Sequence, residues 1–248
     1  MSAMDYLKAS NGLGDAFHKE LAGAEKLFLR GRRHRGEDLE SAVRYFLEFI
    51  RGFEHLDFAD KGPVVTVFGS ARFGETHPHY QLARDLGAHL ARSGYIVMTG
   101  GGPGVMEAAN RGAKEAGGFS VGCNIKLPME QKPNPYLDRF IEFEHFFVRK
   151  LMMVKYSSAF VVMPGGFGTL DEVFEVVTLI QTEKLESFPI VAMGGNFWQK
   201  LREFERDTML EEGTISPEDL DIIQHAFSVE EACRIIKMGC EGAMGLNC

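Results

Sequence analysis

The sequence predicts an α/β fold: a Rossmann-like, doubly wound parallel sheet with helices on both faces and an N-terminal helical extension. Three observations predict it. From Lys61-Gly62-Pro63 onward, short apolar runs alternate with amphipathic stretches of helical period, the form of a parallel sheet covered on both faces. Three of those runs end in glycine- or serine-bearing turns placed to open a helix. The length, 248 residues, suits one large α/β domain with a helical appendage and a core that needs no disulfides.

In chain order, residues 15–58 read as two helices parted at Gly31 and Gly36, the second carrying Leu39, Val43, Phe46, Leu47 and Ile50 on one apolar face. The run Arg30, Arg32, Arg33, Arg35 between them reads as a solvated turn. Residues 1–60 are the helical extension and 61–248 the Rossmann-like domain. Strands are expected at 64–68, 96–99, 120–125, 140–143, 159–163, 189–193 and 222–226, and helices at 80–93, 104–116, 147–157, 169–182, 197–209 and 229–237. The stretch 126–139, with Pro128, Pro133 and Pro135, is too proline-rich for a helix or central strand and reads as an ordered loop.

Composition narrows the function classes. A net charge of -8 argues against a nucleic-acid-binding surface, which must be basic. No leader and no apolar run of membrane-spanning length is present. Cys123, Cys233, Cys240 and Cys248 show no Cys-x-x-Cys spacing, which suits a reduced, cytoplasmic protein.

In doubly wound sheets, ligands bind beyond the carboxyl ends of the strands. Three strand ends carry suggestive chemistry: Gly69-Ser70-Ala71-Arg72, Gly100-Gly101-Gly102-Pro103-Gly104, and Pro164-Gly165-Gly166-Phe167-Gly168-Thr169. The last is an anion-binding device, a loop of uncluttered amides at a helix N-terminus, and phosphate is the anion it suits. The nicotinamide fingerprint fails at the second loop, because its third glycine position is Val105 and no acidic residue ends the next strand. A P-loop is also missing.

Thr169-Leu170-Asp171-Glu172 satisfies the capping-box pattern, so Glu172 has a purely structural reading beside a functional one. Arg149 and Lys150 open a helix, where the macrodipole disfavours positive charge. An anionic ligand or a carboxylate partner would explain them. His77-x-His79 has no companion ligands and does not read as a metal site. Lys150 or Lys155 as a pyridoxal-phosphate lysine is a further alternative, with nothing marking either as desolvated.

Together these motifs resemble the LOG (Lonely Guy) cytokinin-activating phosphoribohydrolases and their bacterial relatives, often labelled lysine decarboxylases. The resemblance runs from about Val64 to Gln181. Pro164 to Glu172 matches the family's Pro-Gly-Gly-x-Gly-Thr-x-x-Glu, Arg149-Lys150 looks like its Arg-Lys pair, and Gly100 to Ala108 is similar to its first nucleotide loop. Leu127 to Gln131 with Asn134-Pro135-Tyr136 looks like the longer bacterial subgroup. The resemblance implies hydrolysis of the N-glycosidic bond of adenine or N6-substituted adenine nucleoside 5'-monophosphates, by a homodimer or higher oligomer with no metal or other cofactor and no nucleic-acid or membrane partner. It implies catalytic roles for Arg149 and Glu172, a phosphate cradle of Gly165, Gly166, Gly168 and Thr169, and substrate contacts from Lys150, Ser70, Gly101, Gly102, Glu107 and Glu130. The competing expectation is a protein that binds a nucleotide or phosphorylated cofactor without turnover.

Overall fold

The computed structural model describes residues 25, 29, 31, 34–58, 61–127, 132–186 and 188–244, with side chains to residue 241. Seven parallel strands form one sheet in the order β4-β3-β2-β1-β5-β6-β7. They are β1 Val64–Phe68, β2 Ile96–Thr99, β3 Ser120–Ile125, β4 Arg139–Phe143, β5 Ala159–Val162, β6 Ile190–Ala192 and β7 Ile223–His225. The chain builds outward from β1 to β4, then returns to place β5 beside β1, with Val65 opposite Ala159 and Phe68 opposite Val162. The order therefore reverses between β1 and β5, the switch point at which doubly wound sheets form a crevice beyond the strand ends.

Alternation along the strands divides the core in two. Val65, Val67, Val97, Val161 and Val191 face one side, where α2 (Pro78–Arg92), α3 (Val105–Glu115) and α7 (Val229–Met244) cover them. Phe68, Met98, Val121, Phe160 and Ile190 face the other, under α4 (Phe146–Lys155) and α5 (Phe167–Gln181). Among the described residues, no helix is long and apolar enough to cross a membrane.

All seven expected strands form, with ends moved by no more than one residue. Two helical expectations need correction. The helix expected at 197–209 divides into a 3-10 turn at Gly195–Trp198, α6 at Gln199–Phe204 and a π turn at Glu205–Met209. Gly194 and Gly195, at φ 110° and 62°, start the tight turn early, and Trp198 Nε1 fixes it by donating to the Met193 carbonyl at 2.8 Å. The last helix runs beyond residue 237 to Met244 because its second half is also packed, with Cys240 fully buried. Residues 15–33 fall almost wholly outside the described residues, so the first expected helix does too.

The second N-terminal helix forms as α1 (Arg35–His55), but its apolar stripe is not the face that it packs. Leu39, Val43, Phe46 and Leu47 remain 53–63% exposed, and α1 instead reaches the body through Glu48, Gly52 and Leu56. Gly52 lies so close to α4 that an added Cβ would stand 2.8 Å from Met152 Sδ. The apolar stripe had the right period but did not choose the packed face.

Glycines also set the approach of α2 to α3. A Cβ on Gly112 would lie 1.8 Å from the Arg84 carbonyl oxygen, and one on Gly87 would lie 2.1 Å from that of Ala109. The obstacles are backbone atoms, so the helices themselves must part. Gly112→Ala is expected to lower unfolding stability by about 1–3 kcal/mol, read as a fall in the urea midpoint; an unchanged midpoint would show that the two helices separate freely.

Candidate functional site

The three suspicious strand ends converge in the crevice between β1 and β5. Ser70 ties them together: its N–H donates to the Pro164 carbonyl and its own carbonyl accepts from Val105 N–H, both at 3.0 Å. The Ser70 side chain accepts from Arg72 N–H at 3.1 Å, so it shapes its turn. Gly69 and Gly104 permit this closeness, because a Cβ on either would lie within 2.5 Å of Val105 or of the Ser70 carbonyl. Gly104 also needs φ 71°, in the region glycine favours.

The capping box at Thr169 does not form. α5 starts two residues earlier, at Phe167, with Gly166 as its N-cap and no side-chain cap. Thr169 is therefore inside the helix and buried, with its hydroxyl turned against Gly165, where a Cβ would stand 2.1 Å from Oγ1. Gly166 and Gly168 differ: a Cβ on either meets nothing within 4 Å. These two glycines leave open space at a helix N-terminus, the arrangement that receives an anion. A genuine capping box occurs elsewhere, where Ser216 and Asp219 open the 3-10 turn Pro217–Asp221.

Released from capping, the Glu172 carboxylate meets Arg149. Nη1 of Arg149 donates to Glu172 Oε1 at 2.5 Å, with side chains only 7% and 15% exposed. Nε of Arg149 donates to the Cys123 carbonyl at 2.8 Å, which fixes the guanidinium to the carboxyl end of β3. Its remaining edge lies over Gly100, where a Cβ would be 2.7 Å from Nη2. Burial and fixed hydrogen bonds make the pair rigid, and loss of one partner would leave an uncompensated buried charge.

Lys150, adjacent in sequence, goes elsewhere. Its Nζ lies 2.8 Å from Glu175 and 3.2 Å from Asp171. Burial opposes its charge, but those carboxylates outweigh burial and hold its pKa above the ordinary lysine value. A Schiff-base lysine needs the reverse shift. These carboxylate partners answer the charge anomaly that the sequence raised.

The second glycine loop is clamped from a place the sequence did not reveal. Gly101, at φ 70°, donates to Thr99 Oγ1 at 2.9 Å. Asn134, from the proline-rich loop, donates its N–H to the Gly101 carbonyl and its Nδ2 to the Gly102 carbonyl and to Asn110 Oδ1. Asn110, fully buried, joins Thr99 and Ser120 to that network. Asn-Pro in a long loop was the available signal, but nothing local named its partners. Glu107 accepts from Tyr80 Oη at 2.8 Å, and burial together with this acceptor pushes the Tyr80 hydroxyl up to about 12 despite Arg111. Glu130 lies outside the described residues. His77 stacks on Phe73 with centroids 4.1 Å apart, and among the described residues no group of three or more His, Cys, Asp or Glu is placed to hold a metal ion.

The fold and this crevice define a doubly wound α/β protein with an open glycine loop at a helix N-terminus and a buried arginine-glutamate pair. The family model described as "Possible lysine decarboxylase" matches residues 106–236, and the chain belongs to that family, the LOG family. A cytokinin riboside 5'-monophosphate phosphoribohydrolase from Arabidopsis thaliana is 29% identical over 170 residues, covering 67% of this chain and 78% of that protein. One of the same name from Mycobacterium tuberculosis is 36% identical over 100 residues, covering 40% of this chain and 54% of the relative. Among solved structures, the molybdenum cofactor binding protein of Rippkaea orientalis superposes with a TM-score of 0.52 at 26% identity, covering 71% of this chain and 96% of that one. The molybdenum cofactor carrier protein of Chlamydomonas reinhardtii gives 0.52 at 27%, covering 71% and 97%.

The contrast between neighbouring glycines is testable. Gly165→Ala should lower the melting temperature because Thr169 obstructs it, whereas Gly166→Ala should leave the melting temperature unchanged and weaken phosphate binding by about tenfold or more. Calorimetric titration with AMP and thermal melts of both variants check this; equal effects in both would remove the distinction between packed and ligand-facing glycines.

Proposed function

We propose that this chain hydrolyses the N-glycosidic bond of purine nucleoside 5'-monophosphates, releasing the free base and ribose 5-phosphate. The observation that carries the reading is the Arg149–Glu172 pair standing beside the open Gly166-to-Gly168 cradle. A single phosphate in the cradle leaves the ribose within the crevice, beside a carboxylate. Cleavage proceeds through an oxocarbenium-like ribose, which that carboxylate stabilises. Glu172 Oε1 is taken by Arg149, and Oε2 orients the water. The water oxygen bonds to the anomeric carbon as the carbon–nitrogen bond breaks and gives one proton to Glu172 Oε2, which passes it to solvent; the base leaves with the bonding electrons and takes a proton from solvent water. Arg149 stays charged throughout, so it holds Glu172 and offsets developing charge instead of moving a proton. Ser70, Gly101 and Gly102 shape the crevice floor, and Glu107, held by Tyr80, is a ribose or base contact. Lys150, bound to Asp171 and Glu175, contributes to helix packing in this reading.

A second reading rests on the molybdenum cofactor proteins among the structural neighbours: the same crevice holds a nucleotide or phosphorylated cofactor without turning it over. Incubation with AMP and with N6-isopentenyl AMP separates the two. Release of free base is expected; tight binding with intact ligand recovered would favour the carrier, and no release from any purine monophosphate would sink the hydrolase. Glu172→Gln should retain AMP binding while losing about 100-fold or more in kcat, measured by base release; unchanged turnover would return Glu172 to packing.

The assembly belongs to the same proposal. Phe167, between the two open glycines, is 92% exposed and borders a groove with Leu170, Phe174 and Leu179 on α5. A second copy covering this groove would place a subunit contact at the phosphate cradle. Light scattering should give at least a dimer for the full chain and a smaller species for Phe167→Glu; a monomeric wild type would exclude the contact.

A further inference from the structure

The helix that carries Arg149 is capped from outside the family's common region. α4 has no acidic residue in its first turn and no side-chain cap from its own N-cap, His145, yet it bears Arg149 and Lys150 there. Glu48, from α1, supplies the missing acceptor and charge. One oxygen accepts from the backbone N–H of Glu144 and, at 3.3 Å, of His145. The other accepts from His145 Nδ1 at 2.6 Å. The His145 carbonyl then accepts from Arg149 N–H at 3.1 Å. Tyr45, also on α1, sets its ring edge-on to His145 and Phe147, with centroids 4.5 and 5.0 Å away.

We propose that Glu48 is a positioning residue for Arg149, so that docking of α1 governs the alignment of the Arg149–Glu172 pair. The inference rests on the hydrolase reading only for its kinetic consequence; the structural link stands apart from it. The matched family region, residues 106–236, holds Arg149 and Glu172 but not α1, so through Glu48 a segment outside that region bears on the pair. The guanidinium is confined by Cys123, Glu172 and Gly100, and a displacement of about 1 Å at a reacting centre lowers rates by about 100-fold. Glu48 sits at 10% side-chain exposure with His145 at 3%, so water does not readily replace the carboxylate.

The test uses the full chain with Glu48→Ala, Glu48→Gln and, as control, exposed Glu40→Gln on the same helix. Nitrogen-15 NMR of arginine-labelled protein, with the Arg149 Nε signal identified by its loss in Arg149→Lys, reports the side chain directly. Glu48→Ala should shift that signal and speed its hydrogen exchange by at least about tenfold, while the β1, β2 and β5 amides keep their protection. Glu48→Gln, which retains an acceptor oxygen, should fall between Glu48→Ala and wild type, and Glu40→Gln should match wild type. In AMP hydrolysis, kcat should fall by about tenfold in Glu48→Ala with KM within about twofold. An Arg149 Nε signal and exchange rate unchanged in both Glu48 variants would overturn the proposal, as would a uniform loss of amide protection. If wild type releases no base, the hydrolase reading fails while the NMR measurement still decides the role of Glu48; if Glu48→Ala does not fold, Glu48→Gln carries the test.

Discussion

The buried ion pair between Arg149 and Glu172 is the constraint around which the crevice is built. A guanidinium at this depth needs its donors satisfied, and two elements supply acceptors, the end of β3 through the Cys123 carbonyl and the first turns of α5 through Glu172, while Gly100 after β2 leaves the volume that the guanidinium fills. Desolvation makes such a pair a poor source of stability relative to an apolar contact. Stability alone therefore does not account for its presence at the carboxyl edge of a parallel sheet. The absence of a side chain at Gly100 has the same cause as the absence of one at Gly165: in each case a neighbouring side chain, Arg149 or Thr169, occupies the volume.

The surroundings serve that pair in layers. Ser70 joins the β1 and β5 loops to α3 through backbone bonds alone, so the crevice keeps its shape without relying on exposed side chains. Asn134 clamps the Gly101-Gly102 turn from a loop 32 residues beyond Gly102, inside a hydrogen-bonded network with Asn110, Thr99 and Ser120. Such networks specify one arrangement because any partial version leaves buried donors unmatched. Glu48 extends the same logic beyond the sheet. Gly166 and Gly168 differ from Gly165 in leaving open space at the N-terminus of α5.

Most of the sheet was legible because a strand buried on both faces needs a continuous apolar run, and runs such as Val64–Phe68 and Ile96–Thr99 have few other uses in a soluble chain. The glycine loops were legible for a similar reason, since φ values such as those of Gly101 and Gly104 exclude most other residues. Glu172 was ambiguous in sequence, because a capping box and a side chain free for a distant partner are written with the same letters. Where α5 starts decided the matter. The stripe Leu39, Val43, Phe46, Leu47 stays exposed for a related reason: periodicity defines a face but not what it meets.

The sequence by itself determined the parallel α/β class, the strand boundaries, the phosphate-suited loop and the candidate status of Arg149 and Glu172, because each follows from local sterics or from short-range spacing. The tertiary structure alone decided that Arg149 pairs with Glu172 while Lys150 turns to Asp171 and Glu175, that Gly165 is packed while Gly166 is open, and that Glu48 and Asn134 reach the site. The side-chain pairings among these join residues 21 to 97 positions apart. No local pattern encodes such a distance; the order of the strands and the tilt of the helices upon them set it.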